Sequence, residues 1–117
     1  MPGKWAGSGG AFVEVIEDNT EEVSLATRQA IRSALREIGE RAVGYATDIV
    51  PVRTGNLRSS IAYDADDSQV IIGSDVPYAS YVEEGTYRMR PRPYLRPAMV
   101  NHLDEYREII RRAMGGQ

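Results

Sequence analysis

Residues 51–73 read PVRTGNLRSSIAYDADDSQVIIG, and this passage decides the fold class. Pro51 pushes the residue before it out of helical geometry, so any helix arriving from upstream ends here. Thr54-Gly55-Asn56 carries turn chemistry. Leu57 to Tyr63 alternates apolar and polar residues, as a half-buried strand does, and Gln69 to Gly73 contains the β-branched run Val70-Ile71-Ile72. The polar stretch Asp64-Ala65-Asp66-Asp67-Ser68 between them predicts a hairpin loop, and the two strands an antiparallel pair.

Upstream, Val23, Ala26, Ala30, Ala34, Leu35, Ile38, Ala42, Tyr45, Ala46 and Ile49 recur at helical spacing. Asp18-Asn19-Thr20 supplies N-cap candidates, and Glu21 and Glu22 suit the positive end of the helix dipole. Taken to Ile49, this helix is roughly 29 residues and about 43 Å long. Arg36–Glu40 and Glu37–Arg41 are favourable i,i+4 pairs on its outer face. Gly39 and Gly44 weaken it by up to about 1 kcal/mol each relative to alanine, unless a small residue there permits close packing. Before it, Ala11 to Glu17 alternates as a first short strand, and the glycine-rich residues 1–10 read as a flexible arm.

Downstream, Tyr78, Tyr81 and Val82 fall at i, i+3 and i+4 after Pro77, which predicts a short helical turn closed by Gly85. Thr86 to Pro97 holds three prolines and four arginines and is expected to be extended and irregular. Pro97 suits the first position of a last helix with Met99, Leu103, Tyr106, Ile110 and Ala113 on one face, Glu108 pairing with Arg112 outside, and Gly115-Gly116 as its stop. The sum is an α+β domain over residues 11–114: a small antiparallel β-sheet packed against a long N-terminal helix and a shorter C-terminal helix, with 115–117 as a tail.

Composition removes most enzyme classes. The chain of 117 residues, 42% hydrophobic and 26% charged, is long enough for one modest core. Without cysteine it has no disulfide, no thiolate metal site and no cysteine nucleophile, and its single histidine, His102, leaves zinc to carboxylates. No metal or cofactor is expected. No apolar run approaches the roughly 18 residues of a membrane span, and Met1 to Gly10 lacks the apolar core of a signal peptide. A net charge of −3 argues against a dedicated nucleic-acid binder.

Each chemical candidate meets a plainer reading. Asp64, Asp66 and Asp67 lack the central glycine and distal glutamate of a calcium loop and read as a solvated turn. His102 belongs to no nucleophile motif and reads as a surface or interface histidine. Glu83-Glu84 is conceivable as an acid–base pair, but adjacent side chains on a turn diverge. Arg88, Arg90 and Arg92, spaced two apart in an extended segment, would project from one face. Pro91 and Pro93 stiffen the segment and lower the entropy cost of using it as an interface, and because the rest of the chain is acidic, contact with carboxylates of a neighbouring subunit is favoured over contact with phosphate. Of Tyr78, Tyr81, Tyr87 and Tyr94, some suit the core and the rest an interface.

Four passages in order, Pro51-Val52-Arg53-Thr54-Gly55-Asn56-Leu57-Arg58-Ser59-Ser60-Ile61, Val76-Pro77-Tyr78-Ala79-Ser80-Tyr81-Val82-Glu83, Gly85-Thr86 and Arg92-Pro93-Tyr94-Leu95-Arg96-Pro97-Ala98, give a resemblance over about 48 residues. The chain resembles the head–tail joining or tail-completion (neck) proteins of long-tailed phages. Glu84 and Pro91 depart from the usual residues of that pattern.

The resemblance implies a non-enzymatic virion protein, assembled in the host cytoplasm and placed between head connector and tail. It implies a homo-oligomeric ring, expected to be a hexamer, whose neighbours are a connector or adaptor and a tail-tube or tail-terminator protein. DNA would pass the lumen without specific binding, and no membrane is involved. The alternatives are a tail terminator, a head-closure adaptor or a small nucleic-acid-binding module. It makes Pro51, Thr54, Gly55, Leu57, Tyr78, Glu83, Gly85, Thr86, Pro93 and Pro97 fold-determining. Candidate interface residues are then Trp5, Phe12, Asp66, Asp67, Tyr87, Arg88, Arg90 and Arg92.

Overall fold

The computed structural model describes residues 11–16, 25–51, 55–66 and 68–115. The fold is α+β. Its elements in chain order are β1 (Ala11–Ile16), α1 (Leu25–Ile49), α2 (Gly55–Ser60), β2 (Ala62–Ala65), β3 (Gln69–Ser74), α3 (Ala79–Glu84), α4 (Leu95–Val100) and α5 (Leu103–Ala113). The strands form one antiparallel sheet in the order β1-β3-β2, with Ala11 opposite Ser74 and Ala62 opposite Gly73. The expected first strand is thus present, though it pairs with β3, across two helices and a strand of sequence.

α1 runs for 25 residues, about 37 Å, and buries Ile31, Ala34, Leu35, Ile38, Ala42 and Ala46. The capping residues expected before it lie outside the described residues. Its buried stripe differs in detail from the sequence pattern: Ile31 and Val50 are in the core, whereas Ala26 and Ile49 are exposed. The rows 31-35 and 34-38-42-46-50 follow the i,i+4 ridge, and Ile49 falls off that ridge. Val70 and Ile72 of β3, Leu57, Tyr94, Leu95, Met99, Tyr106 and Ile109 complete the same cluster.

The close approach allowed by Gly39 is realised. A Cβ placed there would stand 2.6 Å from Cγ of Tyr63 on β2, so the Tyr63 ring lies directly on the helix backbone. Gly44 has nothing within 4 Å of the same position and gains nothing from being glycine.

Two expected elements are corrected. Residues 55–60 are helical, and the strand expected from Leu57 begins only at Ala62. Leu57, Ser60 and Ile61 lie at i, i+3 and i+4 as well as in an alternating run, and over so few residues neither period dominates. Tertiary contact decides: Leu57 is fully buried. Ser60 Oγ donates to the Leu57 carbonyl at 2.8 Å and meets Ser74 Oγ at 2.5 Å, while Ser74 Oγ accepts the Val76 amide at 3.1 Å. Burying Leu57, worth about 2 kcal/mol, holds a helix too short to stand alone. The loop expected at 64–68 is correspondingly shorter, because Asp64 and Ala65 belong to β2.

The single last helix is two. α4 contains Pro97 at its third position, not its first, and stops at Val100. At the break His102 N–H bonds the Met99 carbonyl at 3.4 Å, and the Ala98 carbonyl accepts Tyr106 Oη at 2.7 Å. A buried tyrosine hydroxyl therefore replaces the missing helical amide, and burial pushes its pKa well above the ordinary value. The expected Glu108–Arg112 pair is present at 3.8 Å, and Gly115 takes φ 80° after α5.

α5 is clamped to α1 by charge. Glu105 accepts Arg41 and, at 2.6 Å, Tyr45 Oη; Arg41 also reaches Glu37 at 3.0 Å. The His102 ring stacks on Tyr45 at 3.6 Å between centroids, with Nδ1 3.7 Å from Glu105. The Tyr45 hydrogen bond, then Arg41 and the nearby His102, hold the Glu105 carboxyl below its usual range in spite of desolvation.

Two measurements test this packing. Gly39→Ala is expected to lose about 1–3 kcal/mol in urea denaturation because Tyr63 must move, while Gly44→Ala gains up to about 1 kcal/mol. Because folding lowers the Glu105 pKa, its contribution is present above the unfolded-state value near 4.3 and is lost as pH falls through the folded value. Thermal melts between pH 7 and pH 3 should therefore show a smaller acid loss in Glu105→Gln than in the parent.

Candidate functional site

Among the described residues, one segment presents itself to solvent on a fixed base. Gly85 closes α3 with φ 76° and donates its amide to the Tyr81 carbonyl at 2.7 Å. A side chain here is excluded twice over, by the left-handed φ and by the Met89 carbonyl and Pro91 nitrogen, each 2.7 Å from a Cβ. Thr86 and Met89 then pair as an antiparallel bridge, with Thr86 N to Met89 O at 2.9 Å and the reverse bond at 3.2 Å. The segment expected to be irregular is thus a tight hairpin with Tyr87 and Arg88 at its tip. Arg92 N returns to the Val82 carbonyl at 2.8 Å, so the excursion begins and ends at neighbouring points.

Its base is fixed by Glu83. This side chain is only 7% exposed. Its Oε1 accepts the amides of Tyr94 and Leu95 at 2.9 and 2.8 Å, and its Oε2 accepts that of Arg96 at 3.0 Å. These amides open α4 and have no partner within it. The next position is Pro97, which has no amide to satisfy. One carboxylate and one proline thus account for the whole N-terminus of α4. Tyr94, fully buried, adds a bond from its hydroxyl to the Ala79 carbonyl at 3.2 Å, and burial with the nearby Glu83 charge raises its pKa strongly.

Beside the hairpin lies an open cleft of about 480 Å³, lined by Pro51, Tyr78, Tyr81, Val82, Thr86, Met89 and Arg92. Tyr87 is 90% exposed, Tyr81 56% and Met89 41%. Of the four tyrosines, then, Tyr94 is core, Tyr78 half-buried at the start of α3, and Tyr81 and Tyr87 face solvent. Every ion pair among the described residues lies within or between α1 and α5 or at the residue joining α4 to α5. Arg88, Arg90 and Arg92 are exposed and take part in none of them, and Arg88 instead lies 5.1 Å from the centre of the Tyr87 ring. The three do not project from one face of an extended strand, because the chain reverses at Arg88.

The remaining sequence candidates fall as follows. Asp66 turns β2 into β3: its Oδ1 accepts Ser68 N, Ser68 Oγ and Gln69 N at 2.8, 3.1 and 2.9 Å. Desolvation works to raise its pKa, but those bonds and the charge of Arg32 outweigh it and lower the value. Phe12 lies in β1 opposite Gly73. Trp5, Thr54 and Asp67 lie outside the described residues. Gly55 opens α2, and Pro93 leads into the capped start of α4. Glu84 is exposed while Glu83 is buried against backbone amides, so the two do not share a site. No group of His, Asp or Glu suited to a metal ion occurs among the described residues.

The cleft and the cap were missed by sequence reasoning. The cap left a trace there, a glutamate two residues before Gly85 and a proline twelve residues after Gly85, separated by the loop the cap braces.

The family model described as "Bacteriophage HK97-gp10, putative tail-component" matches residues 14–85. The chain belongs to the HK97-gp10-like family. The matched span runs from β1 to Gly85 and contains the first two of the four passages singled out in the sequence. Membership makes the chain a bacteriophage tail component, and hence a virion protein. No curated protein and no solved structure matches the chain. No helix among the described residues of this HK97-gp10-like protein is long and apolar enough to cross a membrane.

The cap has a direct test. Glu83→Ala strands buried amides at about 1–3 kcal/mol each, so a loss of several kcal/mol in urea denaturation is expected. Glu83→Gln keeps one acceptor oxygen and should fall between. Hydrogen exchange at Tyr94, Leu95 and Arg96 should accelerate in both variants ahead of exchange in α1.

Proposed function

We propose that this tail component is a non-enzymatic tail-completion or head–tail joining subunit, one copy of a ring, expected to be a hexamer, between the head connector and the tail. The observation that carries the reading is the hairpin 86–91. It is solvent-facing, bears two aromatic or apolar side chains and arginines that form no ion pair among the described residues, and stands on a base held by buried hydrogen bonds. A preformed loop of this kind loses little entropy on association, and tyrosine and arginine are the residue types that concentrate binding energy at interfaces. Contact with protein is favoured over contact with DNA because the chain as a whole is acidic.

Light scattering over a range of concentrations should find a discrete ring-sized species in the parent protein. The variant Tyr87→Ala/Arg88→Ala/Arg90→Ala changes only exposed side chains, so its circular dichroism and melting should match the parent while ring formation and attachment to purified tails are lost. A variant that still assembles and attaches normally would remove the hairpin from the interface. Salt-sensitive DNA binding by the parent, lost in the variant, would instead favour the nucleic-acid reading.

A further inference from the structure

The cleft beside the hairpin is shaped before anything enters it. α3 supplies one wall with Tyr78 and Tyr81, the hairpin supplies the other with Met89 and Arg92, and Pro51, just past α1, completes the lining. The spacing of the walls is fixed by backbone bonds. The Gly85 amide donates to the Tyr81 carbonyl at 2.7 Å and the Arg92 amide to the Val82 carbonyl at 2.8 Å. Little conformational entropy is left to lose when a ligand binds such a recess.

Its chemistry is uneven. Tyr81 and Met89 are large side chains left open to solvent, and here they face a common recess instead of lying scattered over the surface. Arg92 is the one charged group among the described residues that line the cleft, and no carboxylate is among them. Arg88 and Arg90 stand exposed on the same hairpin and add to the positive field around the opening. None of the three arginines forms an ion pair among the described residues. Glu84 and Asp48 are exposed on the adjoining helix ends and do not line the cleft.

We propose that the cleft takes a short acidic segment of a partner protein, with an aromatic or long aliphatic side chain between Tyr81 and Met89 and a flanking carboxylate on Arg92. This rests on the reading of the hairpin as a protein-binding surface and names the chemistry of what it binds. Tyrosine and methionine pack well on an apolar or aromatic side chain. An arginine at the edge of an apolar recess pairs with a carboxylate in bidentate geometry, and the inserted side chain shields that pair from water. Nucleic acid fits less well: its evenly spaced phosphates would meet a single arginine in the cleft of a chain whose net charge is −3.

The probe is a short synthetic peptide with one central phenylalanine between aspartates and glutamates, titrated into isotope-labelled protein. Amide resonances of Tyr78, Tyr81 and Arg92 should shift together and saturate, while those of Ile31 and Leu35 in α1 stay in place. Replacing the phenylalanine by alanine, or the acidic residues by lysines, should each weaken binding about tenfold or more. Tyr81→Ala and Arg92→Gln alter exposed side chains and keep the backbone bonds that shape the cleft. Each should weaken the original peptide to a similar degree, with an unchanged melting temperature. Unmoved cleft resonances, or binding indifferent to these changes, would overturn the proposal. So would displacement of the peptide by an oligothymidylate, which makes nucleic acid the occupant. Shifts at Tyr78 and Tyr81 on raising the protein concentration without peptide would make a second copy the occupant and overturn it too. Light scattering separates this from the ring reading: a ring that binds no peptide removes the acidic segment alone, and a permanent monomer that binds it removes the ring alone.

Discussion

The fold's outer half hangs on the Glu83 carboxylate. α3 and α4 are six residues each, too short to form in isolation, and both ends of the exposed hairpin are anchored on them. Burying a carboxylate is costly unless its oxygens are satisfied, and three backbone amides satisfy them here. The same bonds resolve the problem at the start of α4, whose amides would otherwise be stranded beside the fully buried Tyr94 and Leu95. Two liabilities, a buried charge and an unpaired helix end, cancel one another, and the chain between them is obliged to loop outward.

The inner half follows simpler rules. α1 provides one long apolar ridge, the sheet packs on it through Tyr63, Val70 and Ile72, and α5 is fastened by Tyr106 and Ile109 beneath a polar cluster of Arg41, Tyr45, His102 and Glu105. The ion pairs belong to this half, where they join elements already brought together by apolar burial. Arginines of the outer half stand apart from that network, and the difference distinguishes residues that hold the fold from residues free to hold something else.

What the sequence made legible was periodic. The long helix, β3, the helical turn at 79–84 and the need for glycine at 85 each repeat a pattern strong enough to survive tertiary context. The errors arose where two patterns coincide or where the deciding group is remote. Leu57 to Ile61 fits both periods, and its helix is selected by the pocket that takes Leu57 and by Ser74, fourteen residues from Ser60. The break after Val100 depends on a hydroxyl eight residues away. Glu83 looked like half of an acidic pair because its three partners lie eleven to thirteen residues downstream. Family membership was readable because short passages in a fixed order carry more information than any one of them.

Closure of the hairpin at its root, with Gly85 packed on Pro91 and Arg92 bonded to Val82, makes residues 86–90 a module. Every bond that shapes the core is made outside it. The loop's length and chemistry can therefore change without consulting the scaffold, as an insertion at an exposed tip is tolerated where no buried backbone is disturbed. Changes confined to those five residues leave the Glu83 cap, the turn at Gly85 and the start of α4 at Pro97 as they are.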